Sequence, residues 1–385
     1  MNVIGGKRLA NLTVEKNLSN ILERPLVIAK NVRSLFSGRF KAMLNFSEQL
    51  NCKILVSGNE NLPNEIDILG AKNAIFCNPN NLEKMIFEYN PTFILFDDKH
   101  LDFLSLEIQA MKVVYVYPIT ALWPTGRLSL QYIQDPFFRF KIEVSRYLPS
   151  NLFLKKYKLL HSKADVVIAQ SHTVSGMLRY YYKVDPDLVL YNPVNRSIFK
   201  PEGERINLVN RKSAVLYLGS GPGDTYTDLL NPIVNSLNKN SIEVWTFGNK
   251  NNLEFIEDFK NVKYFKNISD IELARLYSES LFSITPQYDE PAGYVPIESI
   301  SCGTPVISTY PDEAIVNGYT GYTASKKNFL KLIKELLESE LYVKMRQNCR
   351  NHSSMFDAGN LTSQLTDYIT IIYKRGKQYV NKLHI

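Results

Sequence analysis

The sequence predicts a two-domain α/β protein, each domain a parallel sheet flanked by helices. Three observations predict it. At 385 residues the chain is too long for one comfortable core. Short apolar runs alternate with longer amphipathic ones, as β-α-β units require. That rhythm pauses across a proline-punctuated stretch (Pro186, Pro193, Pro201) and restarts at Ala214.

The first 25 residues are polar and read as an arm. "LVIAKN" (Leu26–Asn31) is the first expected strand, and a Gly38 loop leads into a helix near Phe40–Leu50. Strands follow at Lys53–Gly58 and Asn73–Cys77, a helix at Asn81–Tyr89 and a strand at Thr92–Asp98. Leu101–Met111 reads as helix and Lys112–Ile119 as strand. Two helices are expected around Phe137–Arg146 and Leu152–His161, then the strand Ala164–Ser171.

In the second half, "AVLYLGSGPGD" (Ala214–Asp224) is a strand running into a glycine-rich loop. A helix at Thr227–Leu237 and strands at Ile242–Gly248 and Val262–Asn267 follow. Ser269 or Asp270 caps the next helix. "LFSITP" (Leu281–Pro286) reads as a buried strand, Thr304–Tyr310 as another, and Lys326–Arg350 as mostly helix.

Composition excludes several classes. Hydrophobic residues make up 45% and charged residues 22%, which is ordinary for a globular chain. The four cysteines form no C-x-x-C pair, and the five histidines show no H-x3-H spacing, so no metal site is expected. Scattered cysteines point to a reducing compartment. The N-terminus has no continuous apolar core of a secretory signal, and Val113–Pro124 is far short of a membrane span. A cytoplasmic protein is expected.

The formal charge is +7, and one segment holds much of it. Between Asp135 and Lys163, Arg139, Lys141, Arg146, Lys155, Lys156, Lys158 and Lys163 stand against Asp135 and Glu143, interleaved with aromatic residues. This pattern suits a helix lying on an anionic membrane surface, and equally a solvated face over core aromatics. Charge alone permits nucleic acid, but no recognised binding module accompanies it, so none is expected.

Strand, loop and helix start come together at Leu218–Thr227 and at Thr285–Ser299. Helix N-termini present N–H groups to anions, and α/β sheets gather ligands at the carboxyl ends of their strands. The second stretch, "DEPAGYVPIESISCGTPV", carries Glu290 and Glu298 eight positions apart, with Pro296 read as the first helical position and Glu298 in the first turn. One glutamate could hold a ribose diol and the other a sugar ring. Alternatively, Glu298 merely complements the helix dipole. His172 reads as a capping or loop histidine, and Asp185-Pro186-Asp187 as a solvated turn.

The segment from "NISDIELARLYSES" through "GYTGYTA" resembles the C-terminal signature of GT-B-fold glycosyltransferases, specifically the retaining family 4 with its E-x(7)-E motif. "ADVVIAQSHTVSGMLRYYYKVDPDLVLYNPVNRSIFKP" resembles the end of that family's N-terminal domain and its link. The resemblance covers about residues 164–325. It implies two Rossmann-like α/β domains facing across a cleft: 1–195 for the acceptor, 196–362 for the donor, and a closing helix, 363–385, crossing back to the first.

The resemblance also implies a nucleotide-sugar donor, a glycan or lipid-linked acceptor, and neither a cofactor nor a required metal. Glu290 would contact the transferred sugar, and Glu298 the donor ribose. Ala292, Gly293 and Tyr294 would offer amides to sugar and diphosphate, with Gly219, Ser220 and Gly221 nearby. Gly38 and Arg39 would close over the phosphates from the first domain. In the family the first strand of the donor domain usually ends in Gly-Arg, with a Lys five residues after the Arg. Here Gly219-Ser220 and Thr225 stand there, so both cations are missing. Arg39, Lys250 and Arg127 are the candidates to substitute. The histidine often found after the late strand of the first domain is replaced by Tyr117, Thr120 and Trp123. A sugar-nucleotide-binding or scaffolding protein that kept the fold is the alternative expectation.

Overall fold

The computed structural model describes residues 21–32, 38–58, 71–117, 163–201, 213–219, 225–257, 260–287, 293–339 and 342–383. The chain divides into two compact units. Unit 1 comprises Met1–Ala121, Pro149–Pro193 and Ala358–Ile385; unit 2 comprises Leu122–Leu148 and Val194–Asp357.

Among the described residues of unit 1, seven strands form one parallel sheet. They are β1 (Pro25–Val32), β2 (Lys53–Gly58), β3 (Ala74–Phe76), β4 (Phe93–Asp97), β5 (Met111–Val116), β6 (Val166–Ala169) and β7 (Leu188–Val189), in spatial order 3-2-1-4-5-6-7. Leu26, Val27, Phe93–Phe96, Val113–Val116 and Val166–Ala169 are almost wholly buried, as strands covered on both faces must be. Helix α1 (Gly38–Gln49) and helix α2 (Leu82–Tyr89) join the first strands.

Two expectations change in this unit. The helix expected over Leu101–Met111 is instead a run of 3-10 turns, Asp98–Ser105, kinked at His100 (φ −117°, ψ 49°). Strand β5 then begins at Met111, so the last residue of the expected helix belongs to the sheet. The proline-punctuated stretch after Ser171 is not only a connection. It holds helix α3 (His172–Met177), which widens into a π-helical turn at Leu178–Tyr182, and then β7. Asp187, read as part of a solvated turn, anchors that edge: its carboxylate accepts from the Val167 amide at 2.7 Å.

Unit 2 repeats the plan. Strands β8 (Ser213–Tyr217), β9 (Glu243–Phe247), β10 (Val262–Tyr264), β11 (Ser283–Thr285), β12 (Val306–Ser308) and β13 (Gly321–Thr323) lie parallel in the order 10-9-8-11-12-13. Helix α4 (Thr227–Lys239) continues through Pro232, and helix α5 (Asp270–Glu279) begins with a full capping box between Ser269 and Glu272. Helix α6 (Tyr294–Ser301) links β11 to β12. Helices α7 (Lys326–Ser339) and α8 (Tyr342–His352) make up the mostly helical stretch expected there. Helix α9 (Ala358–Leu383) packs on α1 and belongs to unit 1.

In both sheets the connections reverse direction between two central neighbours: β1 and β4 in unit 1, β8 and β11 in unit 2. The carboxyl ends of those strands are where such sheets bind ligands. A cavity of about 340 Å³ in unit 1, lined by Leu22, Pro25, Gln49 and Thr362, lies at the amino end of β1, the wrong end for such a site. No described helix is long and apolar enough to cross a membrane.

Candidate functional site

In unit 2, α6 stands with its N-terminus at the carboxyl ends of β8 and β11. All eight of its residues are buried. Gly293 is its N-cap, with extended backbone (φ −67°, ψ 156°), and its amide donates to Asp312 Oδ2 at 3.1 Å. The other oxygen of Asp312 accepts from the Ala314 amide at 2.8 Å. Asp312 is thus held between the loop after β12 and the entry of α6.

Pro296 is the third residue of α6, not its first, and Glu298 is the fifth. A proline fits anywhere in a first turn, because those amides lack intrahelical acceptors. The consequence for Glu298 is larger. It lies beyond the first turn and is only 1% exposed, so complementing the helix dipole does not explain it. A carboxylate so buried requires hydrogen-bonding partners. Burial pushes the Tyr277 phenol well above its ordinary pKa, and the Glu298 carboxylate within electrostatic reach raises it further.

Gly219 ends the approach from β8. Its φ of +86° lies in the left-handed region that favours glycine, and its carbonyl accepts from the Asn249 amide at 2.8 Å. Asn252 Nδ2 donates to the Leu218 carbonyl at 2.6 Å. These bonds tie the loops after β8 and β9 together, which brings exposed Lys250 to the edge of the Gly219 turn. Thr225, at the position of the missing lysine, is buried and pairs through its backbone with Gln287.

In unit 1, Gly38 and Arg39 open α1. Arg39 Nη1 lies 3.1 Å from Asp98 Oδ1 and 3.6 Å from Asp97 Oδ2, at the carboxyl end of β4. Its guanidinium sits 4.5 Å over the Tyr117 ring, and the Tyr117 hydroxyl donates to the Arg39 carbonyl at 3.0 Å. Burial acts to lower the Arg39 pKa, but Asp98 and Asp97 outweigh it and the net shift is upward. Its charge is therefore matched by two carboxylates. His172 is the exposed first residue of α3, with its ring edge-on to Tyr191.

Glu290, Ala292, Ser220, Gly221, Arg127, Arg139, Lys141, Lys155 and Lys156 lie outside the described residues. Among the described residues, the structure brings Gly293, Tyr294 and Gly219 to one end of the unit 2 sheet, while Glu298 lies deeper along α6, next to Ser299, which meets Ser283 of β11. Arg39 and Gly38 belong to the other unit. Asp312, Gln287 and the Asp97–Asp98 pair were not expected from sequence. The Asp-Asp dipeptide closing an apolar strand was the one available signal. No group of three or more His, Cys, Asp or Glu among the described residues could hold a metal ion.

A sequence comparison with curated proteins gave no match. Residues 247–354 match the family model described as Glycosyl transferases group 1. Among solved structures, the chain is similar to the sucrose-phosphate synthase of Thermosynechococcus elongatus, with a TM-score of 0.68 and 16% identity, covering 92% of this chain and 100% of that one. It is similar to Anabaena HepE in complex with UDP and glucose (TM-score 0.66, 12% identity, 90% and 99% covered). A glycosyltransferase from Rickettsia africae is comparable (TM-score 0.64, 18% identity, 91% and 98% covered). These likenesses give the fold: two parallel-sheet α/β domains of the GT-B type. With the group 1 match over α5, α6 and the strands around them, they support a glycosyltransferase.

Proposed function

We propose that this chain transfers a sugar from a nucleotide-sugar donor to an acceptor, with retention of anomeric configuration. Burial of Glu298 on α6, the helix that starts at the carboxyl end of the unit 2 sheet and lies within the matched segment, carries this reading. A buried carboxylate there suits a ribose diol, since it can accept two hydroxyl hydrogen bonds. Glu290 would hold the hydroxyls of the transferred sugar. The first-turn amides of α6 would face the diphosphate, without a required metal. HepE, similar in fold, holds UDP and glucose, which favours a donor of this class. The acceptor, a glycan or a lipid- or protein-linked chain, falls to unit 1. The basic aromatic segment, +5 over Asp135–Lys163, favours a cytoplasmic enzyme working at an anionic membrane face.

The second reading is a sugar-nucleotide-binding or scaffolding protein without turnover. Buried Thr225 in place of a lysine favours it. A thermal-shift screen of nucleotide sugars, followed by assay of released nucleoside diphosphate across varied acceptors, separates the two. Release supports the transferase; stabilisation without release supports the alternative.

A further inference from the structure

Two side chains beside the α6 entry are buried yet have no hydrogen-bond partner among the described residues: Gln287 at Nε2 and Thr285 at Oγ1. Gln287 is 5% exposed and Thr285 1%. Unsatisfied buried groups are rare because each forfeits its hydration, so two of them, at the end of β11 and two residues beyond it, call for an explanation.

Strand geometry says where they point. Alternate residues of a strand share a face, so Ser283 and Thr285 project together, and Gln287, two residues on in the bridge to Thr225, continues the alternation. Ser283 Oγ meets Ser299 Oγ on α6 at 2.7 Å, so that face is the one α6 covers. The helix runs back against the strand. Two residues up the strand cover about 6.6 Å, close to the rise of four residues along the helix. Thr285 therefore lies level with Val295, and Gln287 just beyond the helix start at Gly293.

The chain at Gln287 is tied on both sides. Its carbonyl accepts from Thr309 Oγ1 at 2.5 Å, and its strand segment bridges Thr225, the first described residue after the glycine-rich loop. That leaves one carboxamide beside Thr225, just past the carboxyl end of β11. A carboxamide N–H donor and a helix N-terminus both favour an anionic oxygen.

We propose that Gln287 is a donor-binding residue whose Nε2 donates to an oxygen of the donor's diphosphate. It supplies with a neutral hydrogen bond part of what the absent Arg and Lys would supply. This rests on the donor reading above. Thr285, one pleat deeper, continues the polar strip beneath it.

The test titrates wild-type protein with UDP, GDP, ADP and CDP by calorimetry, then repeats the best binder with Gln287→Met and Gln287→Glu. A hydrogen bond to a charged group is worth about tenfold or more in affinity. Gln287→Met is expected to weaken the diphosphate about tenfold, and Gln287→Glu further, since it sets a carboxylate against phosphate. The matching nucleoside, followed by competition, should change less than twofold, which a general loss of structure would not allow. Diphosphate binding within twofold of wild type in both variants overturns the inference. Wild-type protein that binds none of the four overturns the donor reading and this inference with it, a separately visible result. Should either variant fail to fold by circular dichroism, Gln287→Asn, which withdraws the amide by one methylene, gives the same comparison.

Discussion

The carboxylate of Asp312 accepts the amide of Gly293 at 3.1 Å, so a residue 19 positions downstream sets the entry of α6. Its second oxygen holds the Ala314 amide, and the side chain is 9% exposed. Asp312→Ala should cost about 2 kcal/mol by losing both bonds, and Asp312→Asn about half of that. Thermal unfolding checks the order; equal melting temperatures for wild type and Asp312→Ala would refute the capping role.

Arg39 bears on unit 1 in a different way. Asp98 has no exposed side-chain surface and faces Arg39 at 3.1 Å. Removing the cation leaves a buried carboxylate without its charge partner, so Arg39→Met should destabilise by about 3 kcal/mol. Adding Asp98→Asn to that variant should recover part of the loss. Denaturant unfolding of the three proteins decides it, and additive losses would count against a coupled pair.

The cysteines give a pH signature. Burial pushes the Cys52 and Cys349 thiols from an ordinary 9.0 up to about 12. The unfolded chain therefore releases these protons first. The stability they contribute is full below pH 9 and is lost as pH rises towards 12, at about 1.4 kcal/mol per pH unit for each thiol. All four cysteines are buried, so a thiol reagent at pH 8 should label none in the native protein and four in denaturant. Rapid native labelling of Cys52 or Cys349 would contradict the burial.

For the proposed transfer reaction, Glu290→Gln should abolish nearly all turnover while leaving the melting temperature within a degree or so of wild type, as expected of a residue that contacts the substrate. Unchanged turnover would remove Glu290 from the site.

The membrane reading predicts co-sedimentation with vesicles containing anionic phosphatidylserine but not with phosphatidylcholine alone, weakening as salt rises. Reversing Arg139, Lys155 and Lys156 to Glu should abolish it. Sedimentation indifferent to those changes would place the contact elsewhere.

Much of the fold was legible because its signals are local. Apolar runs such as Phe93–Phe96 and Val113–Val116 announce strands buried on both faces, and Ser269 with Glu272 announces a helix start. Legibility failed where length or register decided the matter. Leu101–Met111 has helix-like composition, but β5 claims its end, and β7 is too short to show any alternation.

By itself, then, the sequence determined two parallel α/β sheets, the restart near Ala214, and a glutamate pair set around a helix entry. Tertiary structure decided what surrounds that entry. It moved Glu298 out of the first turn and into the interior, set Asp312 against Gly293, matched Arg39 with Asp97 and Asp98, and buried the Gln287 amide without a hydrogen-bond partner. The physical reason is range. Periodicity and capping act over a few residues, whereas these contacts join residues 19 to 59 positions apart, which only the packing of strands and helices can bring together.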